Sequence, residues 1–209
     1  ITMKALVLTS KEDGVVFNEH YAQPVAQAGE VRIKVLAAAL NHRDVWITQG
    51  QYAGIKYPTI LGSDGVGIIE SVGEGVSSEF IGQTVIINPN NQWGDSQRYQ
   101  SKQYHIMGLP KDGTLAEFVV VDADKIRLAP AHLTIEQAAA LPLAGLTAYR
   151  ALFGRAQLQA GEKVLISGIG GGVALFAMQF AIAAGAEVYV TSSSEEKIAK
   201  AVQLGAKAG

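Results

Sequence analysis

The sequence predicts an α/β protein whose N-terminal part is rich in β-strands and whose C-terminal part begins a parallel sheet. Between residues 3 and 121, short β-branched or alternating segments are separated by turns that contain glycine or proline, as in a small barrel or sandwich. An apolar segment at residues 163–167 then enters a glycine cluster that opens an apolar helix, and a second β-branched segment follows. The hydrophobic fraction of 48% and the 23 glycines are typical of a globular α/β chain.

The first predicted elements are three strands and a short helix. The strands cover residues 3–9, 15–19 and 30–39 and are separated by turn-forming residues. In the third strand, residues 31–35 alternate apolar and polar side chains, which is typical of a strand with one solvent-facing side. Residues 41–46 are expected to form a short helix.

Three more strands are predicted at residues 63–73, 82–88 and 113–121. Glycines punctuate the first of them, and glycine inside a strand indicates bulges or barrel corners. Residues 88–108 are polar and poor in β-branched residues, so we expect a long surface loop there.

The pattern becomes helical in the second half of the chain. Thr134 and Gln137 have the spacing of a capping box, in which each side chain bonds the backbone N–H of the other residue. They predict the start of a helix. Pro142 is expected to end that helix, and residues 146–153 are expected to form a second one.

The glycine cluster after residue 167 predicts a site for a dinucleotide. Backbone N–H groups at a helix N-terminus bind anions, and the lack of side chains lets a pyrophosphate approach closely. A strict fingerprint has a third glycine where Val173 stands, so we expect slightly looser packing of the helix on the strand. The alternative is an ordinary tight turn in another parallel sheet. The residues predicted to bind the cofactor here are Gly168, Gly170, Gly171, Gly172 and Val173.

The end of the second strand indicates which dinucleotide binds. NAD-specific units carry Asp or Glu there to hold the ribose 2′-hydroxyl, whereas this chain has a run of hydroxyl residues with Lys197 one turn further on. Hydroxyl and ammonium groups would instead hold a 2′-phosphate. Ser192, Ser193 and Lys197 are therefore predicted to bind NADPH. In the alternative, Ser193 only caps the helix predicted over residues 195–204.

The change of pattern predicts two domains. Residues 1–125 are expected to form a catalytic and substrate domain, and residues 126–209 the N-terminal part of a dinucleotide-binding domain. A complete sheet of that kind has about six strands, and only two are predicted here. We therefore expect either that the native protein is longer or that the chain is a truncated species.

The whole chain resembles the medium-chain dehydrogenase/reductase superfamily, and within it the zinc-free, quinone-oxidoreductase-like branch. Besides the glycine cluster, the resemblance is carried by Asn41-His-Arg-Asp44 with Tyr52, by the glycine-rich residues 61–75, and by residues 143–149. It implies an α/β fold with an N-terminal GroES-like β-barrel domain and the start of a Rossmann dinucleotide-binding domain. It also implies NADP as cofactor and a homodimer for the full-length protein.

The zinc ligands of related enzymes have no counterpart here. The zinc-dependent members place Cys, His and Cys (or Asp in some) at the positions that match Asn41, Ser63 and Leu143. Leucine offers no donor atom, and asparagine and serine are poor zinc ligands. The chain has no cysteine, so residues 88–110, which match the structural zinc lobe, carry no thiol. We therefore predict no metal site.

The resemblance, together with this absence of ligands, predicts reduction of an activated acceptor. A quinone or an α,β-unsaturated carbonyl accepts a hydride from NADPH without a Lewis acid, provided that a hydrogen-bond donor stabilises the carbonyl oxygen. The candidate donor is the amide of Asn41, whose family counterpart lies beside the nicotinamide. The alternative for Asn41 is turn or capping chemistry.

Five further residues are predicted to line the site or to hold it together. Trp46 and Tyr52 are candidate walls of the acceptor pocket, since flat rings suit flat substrates, and each is alternatively part of the core. Asp64, like Asp44, matches an acidic position of the family that ties the site together by hydrogen bonds. Thr147 is expected to contact the nicotinamide or its ribose, unless it only caps a helix.

Composition limits the partners. A net charge of −2 gives no basic surface for nucleic acid, no apolar segment reaches the roughly 20 residues of a membrane span, and the lack of cysteine fits the cytoplasm. The expected partner is a small carbonyl or quinone substrate. Two alternatives stay open: a metal-free alcohol or aldehyde oxidoreductase, and a non-catalytic NADPH-binding sensor or scaffold.

Overall fold

The computed structural model describes residues 1–209, which form two compact units, Ile1–Leu143 and Ala144–Gly209. The first unit contains ten strands: β1 Thr2–Ser10, β2 Gly14–Ala22, β3 Glu30–Ala39, β4 Thr59–Ile60, β5 Asp64–Val72, β6 Thr84–Ile87, β7 Asn90–Asn91, β8 His105–Ile106, β9 Phe118–Asp122 and β10 Ile126–Leu128. The second unit contains two strands, β11 Lys163–Ile166 and β12 Glu187–Val190. The chain has five α-helices: α1 His42–Thr48, α2 Ile135–Ala140, α3 Pro142–Tyr149, α4 Gly172–Ala183 and α5 Glu195–Gln203.

The strands of the first unit form two main antiparallel sheets. One has the order β2–β1–β4 and the other the order β10–β6–β5–β3–β9, while β7 and β8 pair separately. Alternate side chains of the larger sheet meet in a core that includes Val31, Ile33, Ile69 and Val85. The predicted α/β class with a β-rich N-terminal part is confirmed.

Glycines in β5 bring its backbone close to β3. The two strands pair in antiparallel fashion, and their register shifts twice, as the bulge prediction requires. A Cβ atom at Gly67 would lie 2.2 Å from the carbonyl oxygen of Lys34, closer than any real side chain comes. The sheet therefore requires glycine at this position.

Two predictions for residues 88–121 are wrong in part. The loop is not wholly at the surface, because the apolar side chain of Met107 joins the core of the larger sheet and is 4% exposed. The strand predicted from residue 113 begins only at Phe118. Gly113 precedes this strand, and its N–H group donates to the carbonyl oxygen of Ile60. It therefore takes no part in the pairing of β9 with β3.

The helix predicted from the Thr134–Gln137 capping box is confirmed as α2. Thr134 Oγ1 accepts from the Gln137 N–H at 3.2 Å, and Gln137 Oε1 accepts from the Thr134 N–H at 3.0 Å. The next helix starts earlier than predicted, because Pro142 is its first residue. Proline is favoured there, since the N–H that it lacks would have no partner in the first turn. A π-helical segment, Arg150–Arg155, continues the helix beyond residue 153.

Helix α2 belongs to the first compact unit because it packs on β3 and β5. Its Ala138 and Ala139 are 1% exposed and lie against Val66. The compact units therefore divide after Leu143. The start of the dinucleotide-binding domain at residue 126 stays a prediction.

The second unit is a strand–helix–strand motif, as the sequence predicts. Strands β11 and β12 pair in parallel, with Lys163 opposite Glu187. Helix α4 packs on both strands, and Met178 of this helix is fully buried with Val188 of β12. On the opposite face of the strands, Leu165 is 67% exposed. None of the helices in residues 1–209 combines the length and apolarity that crossing a bilayer requires.

Candidate functional site

A pair formed by Asn41 and Asp64 lies at the centre of the candidate site in the first unit. Asn41 directly precedes α1, and Asp64 begins β5. Nδ2 of Asn41 donates to Oδ2 of Asp64 at 2.9 Å, and the backbone N–H of Leu143 donates to Oδ1 at 2.8 Å. Each carboxylate oxygen thus has a donor. The amide nitrogen carries a second hydrogen that this contact does not use.

Asp44 holds the backbone of Asn41. Its Oδ2 accepts from the Asn41 backbone N–H at 2.8 Å, and Asn41 is the N-cap residue of α1. Asn41 therefore occupies the capping position of a helix, as the alternative for this residue expects. This position does not engage its amide nitrogen, which donates to Asp64 within the site.

Burial raises the pKa of both aspartates. Asp64 is 1% exposed, and desolvation raises its pKa from the ordinary 3.8 to about 6, although the hydrogen bonds from Asn41 and Leu143 act in the opposite direction. The charge of Asp44 raises this pKa further, and that of Arg43 lowers it. Desolvation also raises the pKa of Asp44. Carboxyl groups perturbed in this way are concentrated at functional sites.

Arg43 is a residue of this site that sequence reasoning missed. Its Nη1 donates to Ser63 Oγ at 2.7 Å and to the carbonyl oxygen of Met107 at 2.9 Å. The Ser63 hydroxyl also donates to the Met107 carbonyl oxygen at 2.8 Å. The only signal in the sequence is the place of Arg43 within the Asn-His-Arg-Asp motif, which says nothing of these partners.

The three residues that match the zinc ligands of related enzymes all have other contacts. Asn41 donates to Asp64, Ser63 bonds with Arg43, and Leu143 donates its backbone N–H to Asp64. Across residues 1–209, no three His, Cys, Asp or Glu side chains lie close enough together to hold a metal ion. That the protein acts without a metal stays a prediction.

Tyr52 and Trp46 have different surroundings. Tyr52 is half-buried, packs on an apolar cluster, and lines a cavity of about 670 Å³ with Arg43. Its ring centre lies 5.1 Å from the guanidinium of Arg43. Trp46 is 42% exposed and stacks on His42 with the ring centres 5.6 Å apart. The core alternative is therefore wrong for Trp46, and the contact of either ring with an acceptor stays a prediction.

In the second unit, the glycine cluster forms the turn between β11 and α4. Gly168 has a φ of +66°, a left-handed conformation that favours glycine. Gly171 is the N-cap residue, no side chain caps the helix, and the Leu175 N–H donates to the Gly171 carbonyl oxygen. The N–H groups in between, including those of Gly172 and Val173, have no carbonyl partner within the helix. They are donors of the kind that a pyrophosphate requires.

Lys197 lies against this turn. A Cβ atom at Gly170 would be 2.8 Å from Nζ of Lys197, so the ammonium group is beside the glycine backbone. Val173, where a third glycine would be expected, is 41% exposed, so its side chain is accommodated at the surface. The turn therefore combines free backbone donors with one positive charge, which fits the phosphates of a dinucleotide.

The hydroxyl residues after β12 differ in their contacts. Ser194, and not Ser193, is the N-cap residue of α5, and its Oγ accepts from the Lys197 N–H at 3.4 Å. The predicted capping role of Ser193 is wrong, because Ser194 directly precedes the first helical residue. Ser193 is exposed, and Ser192 Oγ accepts from the Ser194 N–H at 3.1 Å. Thr147 lies inside α3 and does not cap it, while its contact with the cofactor stays a prediction.

The chain belongs to the family of alcohol dehydrogenase GroES-like domains, whose model matches residues 27–131. This family and the relatives of the chain place it in the medium-chain dehydrogenase/reductase superfamily, as the resemblance implied. A zinc-type alcohol dehydrogenase-like protein of Schizosaccharomyces pombe is 43% identical over 181 residues, which are 85% of this chain and 52% of the relative. An acryloyl-coenzyme A reductase of Metallosphaera sedula is 36% identical over 93% of this chain and 60% of its own.

Solved structures show the same fold. A crystal structure of an NAD-dependent alcohol dehydrogenase superposes with a TM-score of 0.90 at 35% identity and covers 99% of this chain and 62% of that one. A crotonyl-CoA carboxylase/reductase in complex with NADP has a TM-score of 0.85 at 28% identity, covering 99% and 56%. The chain spans about half the length of these curated relatives, which include a zinc-type alcohol dehydrogenase-like protein of Leptosphaeria maculans.

Proposed function

We propose that the protein is a zinc-independent oxidoreductase that transfers a hydride from NADPH to a quinone or an α,β-unsaturated carbonyl. The observation that carries the proposal is the Asn41–Asp64 pair. At a position that matches a zinc ligand of related enzymes, a buried carboxylate holds an amide that retains one unused N–H. A donor fixed in this way suits an acceptor that needs charge stabilisation and no Lewis acid.

In this proposal, the chain supplies orientation and one hydrogen bond. Asn41 donates its second amide N–H to the carbonyl oxygen of the acceptor, where negative charge develops. Asp64 accepts the first N–H and so fixes the plane of the amide. When bound, the nicotinamide supplies the hydride. Because water can provide the proton, no strong general acid is required.

The choice of NADPH rests on the residues that follow β12. The ammonium group of Lys197 lies beside Gly170, and the strand ends in hydroxyl residues where NAD-specific units carry a carboxylate. Among similar solved structures, an acetophenone reductase is in complex with NAD and a crotonyl-CoA carboxylase/reductase with NADP. Both dinucleotides therefore occur on this fold, and Lys197 is the feature that favours NADPH here.

Relatives support a conjugated carbonyl as acceptor. Two of them are acryloyl-coenzyme A reductases, from Metallosphaera sedula and Sulfurisphaera tokodaii, and their names describe substrates with a carbon–carbon double bond beside a thioester. The second candidate is a metal-free alcohol or aldehyde oxidoreductase. It is favoured by the similarity to the NAD-dependent alcohol dehydrogenase structure.

A panel of acceptors distinguishes these candidates. Oxidation of NADPH is followed by absorbance with benzoquinone, with an α,β-unsaturated ketone, and with a saturated aldehyde, and reduction of NADP is followed with a saturated alcohol. We expect turnover with the first two only. Turnover confined to the alcohol and aldehyde would favour the second candidate. Tight NADPH binding without any turnover would contradict both and indicate a sensor or scaffold.

A further inference from the structure

The cavity beside Tyr52 in the first unit has a one-sided charge. Fourteen residues line it, and the formal charges among them are those of Arg43, Lys56 and Lys102, with no Asp or Glu. The whole chain has 19 acidic and 17 basic residues. The lining of this cavity is therefore positive although the chain has a net charge of −2, and a concave surface of one sign attracts small ions of the other sign.

One of the three cations is held in place. The guanidinium of Arg43 is bonded to Ser63 and to the Met107 carbonyl oxygen and lies over the ring of Tyr52. Lys56 and Lys102 are exposed and belong to two separate segments of the lining. A fixed guanidinium together with two adaptable ammonium groups suits an oxyanion that accepts several hydrogen bonds.

A histidine in the same lining has an unsatisfied nitrogen. Nδ1 of His105 lies 3.0 Å from the carbonyl oxygen of Gln103, and since a carbonyl oxygen only accepts, Nδ1 carries the proton. Nε2 of His105 is buried and has no hydrogen-bond partner in the protein. Buried polar atoms without partners are rare. As a hydrogen-bond acceptor, Nε2 suits a donor such as the O–H group of a protonated phosphate.

We propose that this cavity binds the phosphate-bearing end of an organic anion. Its volume of about 670 Å³ lies within the range of small-molecule sites, and no carboxylate in its lining would repel a phosphate. Binding of the anion in this cavity does not depend on the proposed hydride transfer. The further inference that this anion is one end of the acceptor molecule rests on the proposed function.

Amide NMR of the full chain with pyrophosphate as the probe tests the proposal. Signals of residues 51–56 and 100–106 report the cavity, and those of residues 168–173 report the glycine turn, which is expected to bind phosphates for a different reason. The test variant is Lys56→Gln with Lys102→Gln. The control is Lys4→Gln with Lys34→Gln, which changes the net charge equally at exposed lysines outside the cavity.

We expect pyrophosphate to shift the signals of the cavity residues. The dissociation constant of pyrophosphate at the cavity should be at least about tenfold higher in the double variant than in the wild type, which corresponds to about 1.4 kcal/mol. The control should bind like the wild type, and succinate should bind more weakly than pyrophosphate. Unshifted cavity signals, equal affinity of the test and control variants, or equally tight succinate would overturn the proposal. The single variant Lys102→Glu repeats the test should the double variant not fold. Shifted signals of residues 168–173 would test only the predicted cofactor site and not the cavity.

Discussion

Asn41 holds two hydrogens on its amide nitrogen, and only one of them is donated to Asp64. Replacement of Asn41 by alanine removes both the donor for the acceptor oxygen and the partner of the carboxylate. Asn41→Ala should therefore lower kcat by about 10²- to 10³-fold, the usual effect of removing one such donor. Steady-state kinetics with a quinone measure this effect. Thr48→Ala in the same helix is the control, and an unchanged kcat in Asn41→Ala would exclude Asn41 from the chemistry.

Asp64 makes the stability of the protein depend on pH in a particular direction. Its pKa of about 6 in the folded chain lies above the ordinary 3.8, so the folded state holds the proton more tightly than the unfolded state. This contribution to stability is fully present below about pH 3.8 and is lost as the pH rises through about 6. A shift of about two units corresponds to about 3 kcal/mol.

Urea unfolding of the wild type and of Asp64→Asn isolates this effect, because the variant lacks the titrating group and keeps the other carboxyl groups. Relative to the variant, the wild type should lose free energy of unfolding between about pH 4 and pH 7. A difference between the two proteins that is constant over this interval would contradict the assignment.

At the scale of the elements, the contact between β5 and β3 depends on a glycine. A Cβ atom at Gly67 would meet the Lys34 carbonyl oxygen at 2.2 Å, and backbone atoms in a sheet move only at a high cost. Gly67→Ala should destabilise the first unit by about 3 kcal/mol, the upper end of the usual cost of overpacking. Trp46 and Trp93 both lie in this unit, so tryptophan fluorescence in urea measures its unfolding.

Gly154→Ala is the control for this prediction, since the nearest side-chain atom to its added Cβ would be at an ordinary 3.5 Å. It should leave the tryptophan transition unchanged. Equal transition midpoints for Gly67→Ala and the wild type would show that the two strands are not held as closely as the structure has them.

The glycine turn and α5 together predict how the cofactor is selected. Lys197 Nζ lies beside Gly170, and an ammonium–phosphate contact contributes about 1.5–3 kcal/mol. Lys197→Ala should raise the Michaelis constant for NADPH at least about tenfold and that for NADH much less. Lys200→Ala, one turn further along the same helix, is the control. Equal effects of Lys197→Ala on both cofactors would remove the 2′-phosphate assignment.

Elements that are encoded by local patterns were predictable from the sequence. The alternating residues of β3, the capping box of α2 and the glycine turn before α4 each occupy a continuous segment, and the structure has all three. The errors concern where elements start. Helix α2 ends before Pro142 as predicted, but the next helix begins at Pro142 and not at residue 146, and Ser194 instead of its neighbour caps α5.

The contacts of the site were less predictable, because they join distant parts of the chain. Arg43 bonds with Ser63, 20 residues away, and with Met107, 64 residues away. Leu143 reaches Asp64 across 79 residues. No local pattern encodes such pairs. The family resemblance supplied Asn41 and Asp64 as positions, and only the structure supplied their hydrogen bonds and the raised pKa of Asp64.

At the scale of the whole molecule, each of the two units has its own apolar core, and each contributes one half of the proposed reaction. The first holds the Asn41–Asp64 pair, and the second holds the glycine turn with Lys197. Because the chain spans about half the length of its curated relatives, the acceptor, the overall activity and the predicted homodimer are proposals for the whole protein.

The central claim is reduction by NADPH without a metal, and turnover after metal removal tests it most directly. The rate of NADPH oxidation with benzoquinone is measured on protein that has been exhaustively treated with a chelator, before and after zinc is added back. Since Asn41, Ser63 and Leu143 cannot form a zinc site, we predict the same rate for the untreated, depleted and zinc-supplemented protein. A rate that is lost on depletion and restored by zinc, or no turnover in any of the three, would contradict the claim.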